Sequence, residues 1–123
     1  MRRLPLRSLT VATALVLVTA AAAGCGGSSG GGNATVLKAG EPIGMKSLRF
    51  DPDHVQVPVG QKVTWRNEEG IPHDVKADSG GAFESKTFGK GGEFAWTPDK
   101  AGTVKYECTL HPGMTGTVDV VAK

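Results

Sequence analysis

Cysteine is nearly absent from this chain: two occur in 123 residues, Cys25 near the N-terminus and Cys108 near the C-terminus. Histidine is scarce as well, at three, which leaves no room for the repeated His-rich motifs of a multi-metal enzyme. No stretch beyond residue 24 carries the 3.6-residue apolar period of a helix, and there is no internal repeat. The basic excess is only apparent. The formal charge is +2, but Arg2, Arg3 and Arg7 belong to the first 24 residues, and without them 11 basic side chains face 12 acidic ones. With no Lys/Arg stripe either, nucleic acid is excluded as a partner.

What stands at the N-terminus is a targeting segment. A basic front is followed by an apolar stretch from about Leu9 to Ala23, too short to span a bilayer, and by small residues leading to Cys25. Ala22-Ala23-Gly24 before Cys25 resembles a bacterial lipobox, so residues 1–24 read as a lipoprotein-type signal peptide and Cys25 as the lipidated first residue of the mature protein. Two or more acyl chains, at about 0.8 kcal/mol per buried methylene, would hold the protein stably on a membrane. Residues 25–33 follow as a Gly/Ser tether, unable to bury a core, with a reach on the order of 15 to 18 Å. An extracytoplasmic, lipid-anchored location is expected, in the periplasm or at the cell surface. Cys108 is then the only thiol left in an exported domain, and a bound metal is one way to protect it from oxidation.

Residues 34–123 make one small domain of short strands divided by turn formers. Strands are expected at Thr35–Ala39, Lys46–Phe50, His54–Val57, Gln61–Asn67, His73–Ala77, Ala82–Phe88, Glu93–Thr97, Thr103–Cys108 and Gly116–Val121. Between them lie Asp51-Pro52, Val59-Gly60, Glu69-Gly70, Ser79-Gly80-Gly81, Gly89 to Gly92, Pro98-Asp99 and Pro112-Gly113. Strand spacing and period-two alternation predict an all-β, antiparallel sandwich of about seven to nine strands. Along Thr103–Cys108 the alternation turns Val104, Tyr106 and Cys108 to one face, so Cys108 points inward at the strand's end.

The C-terminal run Tyr106-Glu107-Cys108-Thr109-Leu110-His111-Pro112-Gly113-Met114 places a thiolate, an imidazole and a thioether three residues apart, close enough to converge on one ion. Two histidines, a cysteine and a distant methionine are the ligand set of electron-transfer copper sites. The loop supplies three of the four, and His73 is the candidate for the missing histidine. Val63-Thr64-Trp65-Arg66-Asn67 ahead of Pro72-His73-Asp74-Val75, then Tyr106 to Met114, resembles the cupredoxins, or blue-copper proteins, over nearly the whole mature domain. The C-x2-H-x2-M spacing is similar to the amicyanin branch, within an amicyanin/plastocyanin-like group.

That resemblance implies a Greek-key β-sandwich, one copper ion on His73, Cys108, His111 and Met114, and an electron-carrier function. It implies transient redox partners, a donor and an acceptor, with electrons leaving through the exposed edge of His111, and a monomeric, non-enzymatic protein. Ile71, Pro72, Leu110, Pro112 and Gly113 would form an uncharged docking patch around that edge. Asp74 stands where the family often has Asn. Its carboxylate is expected to tie its strand to the ligand loop through Thr109, with Asn67 as a further supporting residue.

Taken singly, each ligand has a duller reading: Cys108 as a small buried hydrophobe, Met114 as core filler, His73 as a hydrogen-bonded strand residue. Their order and spacing together outweigh those readings. His54 has no matching partner in the sequence and reads as an exposed strand residue, while Trp65 and Trp96 read as core. The alternative function is a copper-binding or copper-delivery lipoprotein, which would use similar ligands but exchange its metal. A zinc site and a metal-free adhesion sandwich are the remaining readings, and zinc usually prefers four strong ligands.

Overall fold

A computed structural model describes residues 33–78 and 81–123. The expected signal peptide, the expected lipidation at Cys25 and nearly all of the expected tether lie outside the described residues. Nine strands follow one another: β1 (Thr35–Val36), β2 (Ile43–Lys46), β3 (Arg49–Asp51), β4 (His54–Pro58), β5 (Val63–Asn67), β6 (Lys76–Ala77), β7 (Glu93–Trp96), β8 (Gly102–Glu107) and β9 (Thr115–Val121). They form two sheets, one in the order β1-β4-β9-β8-β6 and one in the order β3-β2-β5-β7. The domain is an all-β Greek-key sandwich, and no helix occurs among the described residues.

The sheets are mixed rather than antiparallel. β1 with β4, β2 with β5, and β4 with β9 all pair in parallel. The chain crosses from one sheet to the other after β1, β3, β4, β5, β6 and β7. Neighbours in a sheet are therefore often strands reached only after the chain has visited the other sheet; three such pairs run parallel, while β5 with β7 and β6 with β8 run antiparallel. Turn residues alone do not reveal this, because they mark where strands end and not which strand comes alongside.

Period-two alternation fills the space between the sheets. Val55 and Val57 of β4, Val63, Trp65 and Asn67 of β5, and Val118 and Val120 of β9 are buried, while their neighbours are wholly or partly exposed. Trp65 is fully buried at the centre, with ring centroids 5.0 Å from Phe83, 5.7 Å from Phe94 and 5.3 Å from Tyr106. Burying side chains of this size stabilises the fold by roughly 1.5–3 kcal/mol each.

Three expected strands are not strands as drawn. Lys46–Phe50 straddles a tight hairpin between β2 and β3, whose central residues Ser47 and Leu48 have φ of 54° and 56°. Neither is Gly or Asn, so the turn carries no sequence signal. Of His73–Ala77 only Lys76–Ala77 is a strand, and Ala82–Phe88 contributes only isolated bridges, His73 with Phe88 and Lys76 with Glu84. Here a side chain replaces part of the ladder: the Val75 amide donates to Ser85 Oγ at 2.8 Å. β8 follows the expected alternation, with Tyr106 buried and Cys108 buried just past its end.

Candidate metal centre

Three side chains converge at one end of the sandwich. The ligand atoms of His73, Cys108 and His111 all lie within 4.8 Å of one another. His73 and Cys108 are buried, at 0% and 2% exposure, and His111 is half-buried. Cys108 Sγ is 3.6 Å from His73 Nδ1, and the two imidazole centroids are 4.9 Å apart with their planes at 68°. A thiol and two imidazoles gathered this closely, with two of the three sealed from water, are a donor set suited to copper.

Backbone hydrogen bonds shape the loop that delivers two of the three. The Cys108 amide donates to the Met114 carbonyl at 3.0 Å, His111 to Cys108 at 3.4 Å and Met114 to His111 at 3.1 Å. Gly113, at φ 89°, supplies the left-handed residue that lets so short a segment close on itself. The loop thereby sets the backbone of Met114 beside that of Cys108, and Met114 is buried at 2% exposure.

His73 is presented by the segment after β5. Asn67, fully buried, donates from Nδ2 to the carbonyls of Ile71 at 2.8 Å and Phe88 at 3.1 Å, and accepts from the Glu69 amide at 3.0 Å. One side chain thus fixes the bend carrying His73. Asp74 accepts from the Thr109 amide at 2.6 Å and from the Thr109 hydroxyl, clasping the His73 segment to the Cys108 loop. A carboxylate serves because both partners donate.

The proton positions on the imidazoles follow from what they face. His111 Nε2 lies 3.1 Å from the Pro72 carbonyl, which only accepts, so the proton sits on Nε2 and Nδ1 keeps its lone pair. His73 Nε2 lies 2.7 Å from Glu69 Oε1, with the same consequence. Sequence reasoning missed Glu69, which read only as part of a turn. Its spacing of four residues from His73 is the signal that was there. Burial alone would raise the Glu69 carboxyl, but bonds from the Leu48 amide, His73 and the Ser47 amide outweigh it and hold it below the usual carboxylate range.

Around His111, Ile71 and Leu110 are 42% and 44% exposed, and Pro72, Pro112 and Gly113 are exposed too, so the uncharged rim lies on the surface. His54 stands apart from this site and has a partner after all: its Nε2 is 2.7 Å from Asp119 Oδ2, and Thr103 donates to Asp119 Oδ1 at 2.8 Å. The pair spans 65 residues of chain, beyond the reach of any local motif.

Fold and ligand cluster together define a protein built to hold a single metal ion at the end of a Greek-key sandwich. The chain belongs to the plastocyanin/azurin family of copper binding proteins, which it matches over residues 37–121. It is 33% identical over 82 residues to amicyanin from Paracoccus denitrificans, 63% of each chain being covered, so the match spans less than two thirds of the length of that relative. It is 34% identical over 86 residues to plastocyanin from Scenedesmus fuscus, covering 60% of this chain and 88% of that one. Among solved structures, an oxidised amicyanin variant superposes with a TM-score of 0.64 at 30% identity, over 70% of this chain and 86% of that one. A purple cupredoxin from Nitrosopumilus maritimus gives 0.56 at 28% identity, over 62% and 85%.

Proposed function

We propose that this protein is an extracytoplasmic one-electron carrier with a mononuclear copper centre on His73, Cys108, His111 and Met114. The observation that carries the reading is the asymmetry of the cluster: two ligand side chains are sealed at 0% and 2% exposure, and the third, His111, reaches the surface within an uncharged rim. When bound, copper supplies a one-electron couple between Cu(II) and Cu(I). The residues do the rest. Cys108 and His73 offer Sγ and Nδ1 from fixed positions, so little has to move when the charge changes. His111 brings a conjugated ring to the rim, where Ile71, Pro72, Leu110, Pro112 and Gly113 offer a donor or acceptor protein a surface that costs little charge desolvation. Met114 is the fourth, weaker ligand.

Burial also separates this role from copper delivery, since a carrier that hands over its metal needs ligands a recipient can reach, and His73, Cys108 and Met114 are not reachable. We further propose cleavage before Cys25, lipidation of that residue, and residues 25–33 as the tether of a monomeric domain covering residues 34–123. The test is the visible spectrum of residues 34–123 after Cu(II) addition. An intense blue band from thiolate-to-copper charge transfer is expected, lost in Cys108→Ser, with slow copper loss and fast reversible reduction. A colourless protein, or colour that survives Cys108→Ser, refutes the assignment.

A further inference from the structure

The two imidazoles of the cluster are backed by unlike groups. His111 Nε2 meets a neutral backbone carbonyl, whereas His73 Nε2 meets the carboxylate of Glu69. That carboxylate is fully engaged. Oε1 accepts from His73 at 2.7 Å and from the Leu48 amide at 3.1 Å, and Oε2 accepts from the Ser47 amide at 3.0 Å. The two amides point the same way because Ser47 and Leu48 both hold positive φ, the geometry of a type I′ hairpin turn. On the other side, Asn67 Oδ1 holds the Glu69 amide at 3.0 Å, so the residue is fixed at both backbone and side chain.

We infer that Glu69 is a positioning residue for the copper centre, locking the tautomer and ring orientation of His73 and setting, jointly with the Ser47–Leu48 turn, how strongly that imidazole favours Cu(II) over Cu(I). The inference rests on the copper reading above. Its physical basis is that an acceptor on the outer nitrogen fixes which nitrogen is free for the metal and raises the basicity of that nitrogen. A charged acceptor does so more than a neutral one, and a more basic imidazole favours the more highly charged ion. The turn amides pull the other way, drawing negative charge off the same carboxylate. The hairpin between β2 and β3 thereby acts on a metal ligand it does not touch.

Glu69→Gln is the decisive change. The isosteric amide brings its own donors into a place already ringed by three, so either His73 or the turn loses its acceptor. Two readouts are needed. In the metal-free protein, nitrogen NMR of His73 should show a single Nε2-protonated tautomer with a slowly exchanging proton in the wild type, and a mixture of tautomers in Glu69→Gln. In the copper-loaded protein, Cu(II) affinity should fall about tenfold relative to Cu(I), within the range seen for such supporting groups. By linkage that tenfold appears as a rise of about 59 mV in reduction potential.

A merely structural Glu69 would lower the melting temperature and move neither readout. An affinity ratio changed by less than twofold, with the His73 tautomer unaltered, overturns the inference. If Glu69→Gln does not fold, the wild-type spectrum decides: a His73 proton on Nδ1, or one that exchanges with solvent freely, also overturns it. Failure of the electron-carrier reading would look different, as loss of the blue colour in the wild type with the His73 tautomer still fixed.

Discussion

Gly116 lies opposite Tyr106 across the β8–β9 ladder, and the tyrosine ring rests directly on it. A Cβ built at Gly116 would overlap the Tyr106 Cζ and hydroxyl oxygen and sit 2.8 Å from Cε1. The ring has nowhere to retreat. Tyr106 is 1% exposed, and its centroid is 4.7 Å from Phe50, 5.3 Å from Trp65 and 5.9 Å from Phe83. Gly116→Ala is therefore expected to destabilise the domain by about 3 kcal/mol, the upper part of the usual overpacking range, because several buried rings must shift together. For a domain of this size that lowers the melting temperature on the order of 15 °C. The measurement is chemical denaturation of the metal-free domain, repeated in a Tyr106→Leu background. With the ring gone the alanine should cost under about 1 kcal/mol, so the cycle should show strong coupling between the two sites. A cost below about 1 kcal/mol for Gly116→Ala alone, or additivity in the double variant, would show that the ring does not lie where the argument needs it.

Other outcomes follow from the site and from the far end of the sandwich. Met114→Gln should keep the blue colour but lower the reduction potential, since an oxygen donor favours Cu(II) more than a thioether does; an unchanged or higher potential by voltammetry would make Met114 core filler. At the Asp119 carboxyl, burial pushes upward, but the bonds from His54 and Thr103 and the charge of His54 outweigh it and hold the group below its ordinary value. A folded value below the unfolded one means that the stabilisation is present above about pH 4 and disappears as pH falls through the folded value. Asp119→Asn should thus cost about 0.5–1 kcal/mol near pH 5 and nearly nothing near pH 2, as read from urea titrations at both pH values. A difference independent of pH would refute the ionic part of that pairing.

The sequence was most informative where chemistry is local. Cys108 and His111 are three residues apart, so their convergence needed only a short loop, and the Asp74–Thr109 clasp could be drawn from the loop's neighbours. Buried alternation on β8 was equally plain, because one strand carries it. What stayed hidden was long-range or unsigned. Parallel pairing of β4 with β9 depends on how the chain crosses the core. The Ser47–Leu48 turn uses residues that do not announce a left-handed backbone, and Lys46–Phe50 consequently read as one strand. Glu69 looked like a solvated turn residue because its partners at Ser47 and Leu48 lie 22 and 21 positions upstream.

His73 and Cys108 come from points 35 residues apart. An ion held between them would cross-link the chain much as a disulfide does, in a domain with a single thiol. In the chain-entropy account, closing a loop of that size is worth about 4 kcal/mol against the unfolded ensemble. Such a staple is removable, and its strength follows metal supply instead of the redox state of thiols. In copper-poor surroundings the same domain would open more often and fall sooner to proteases, so the amount of folded protein would track the metal available to fill it.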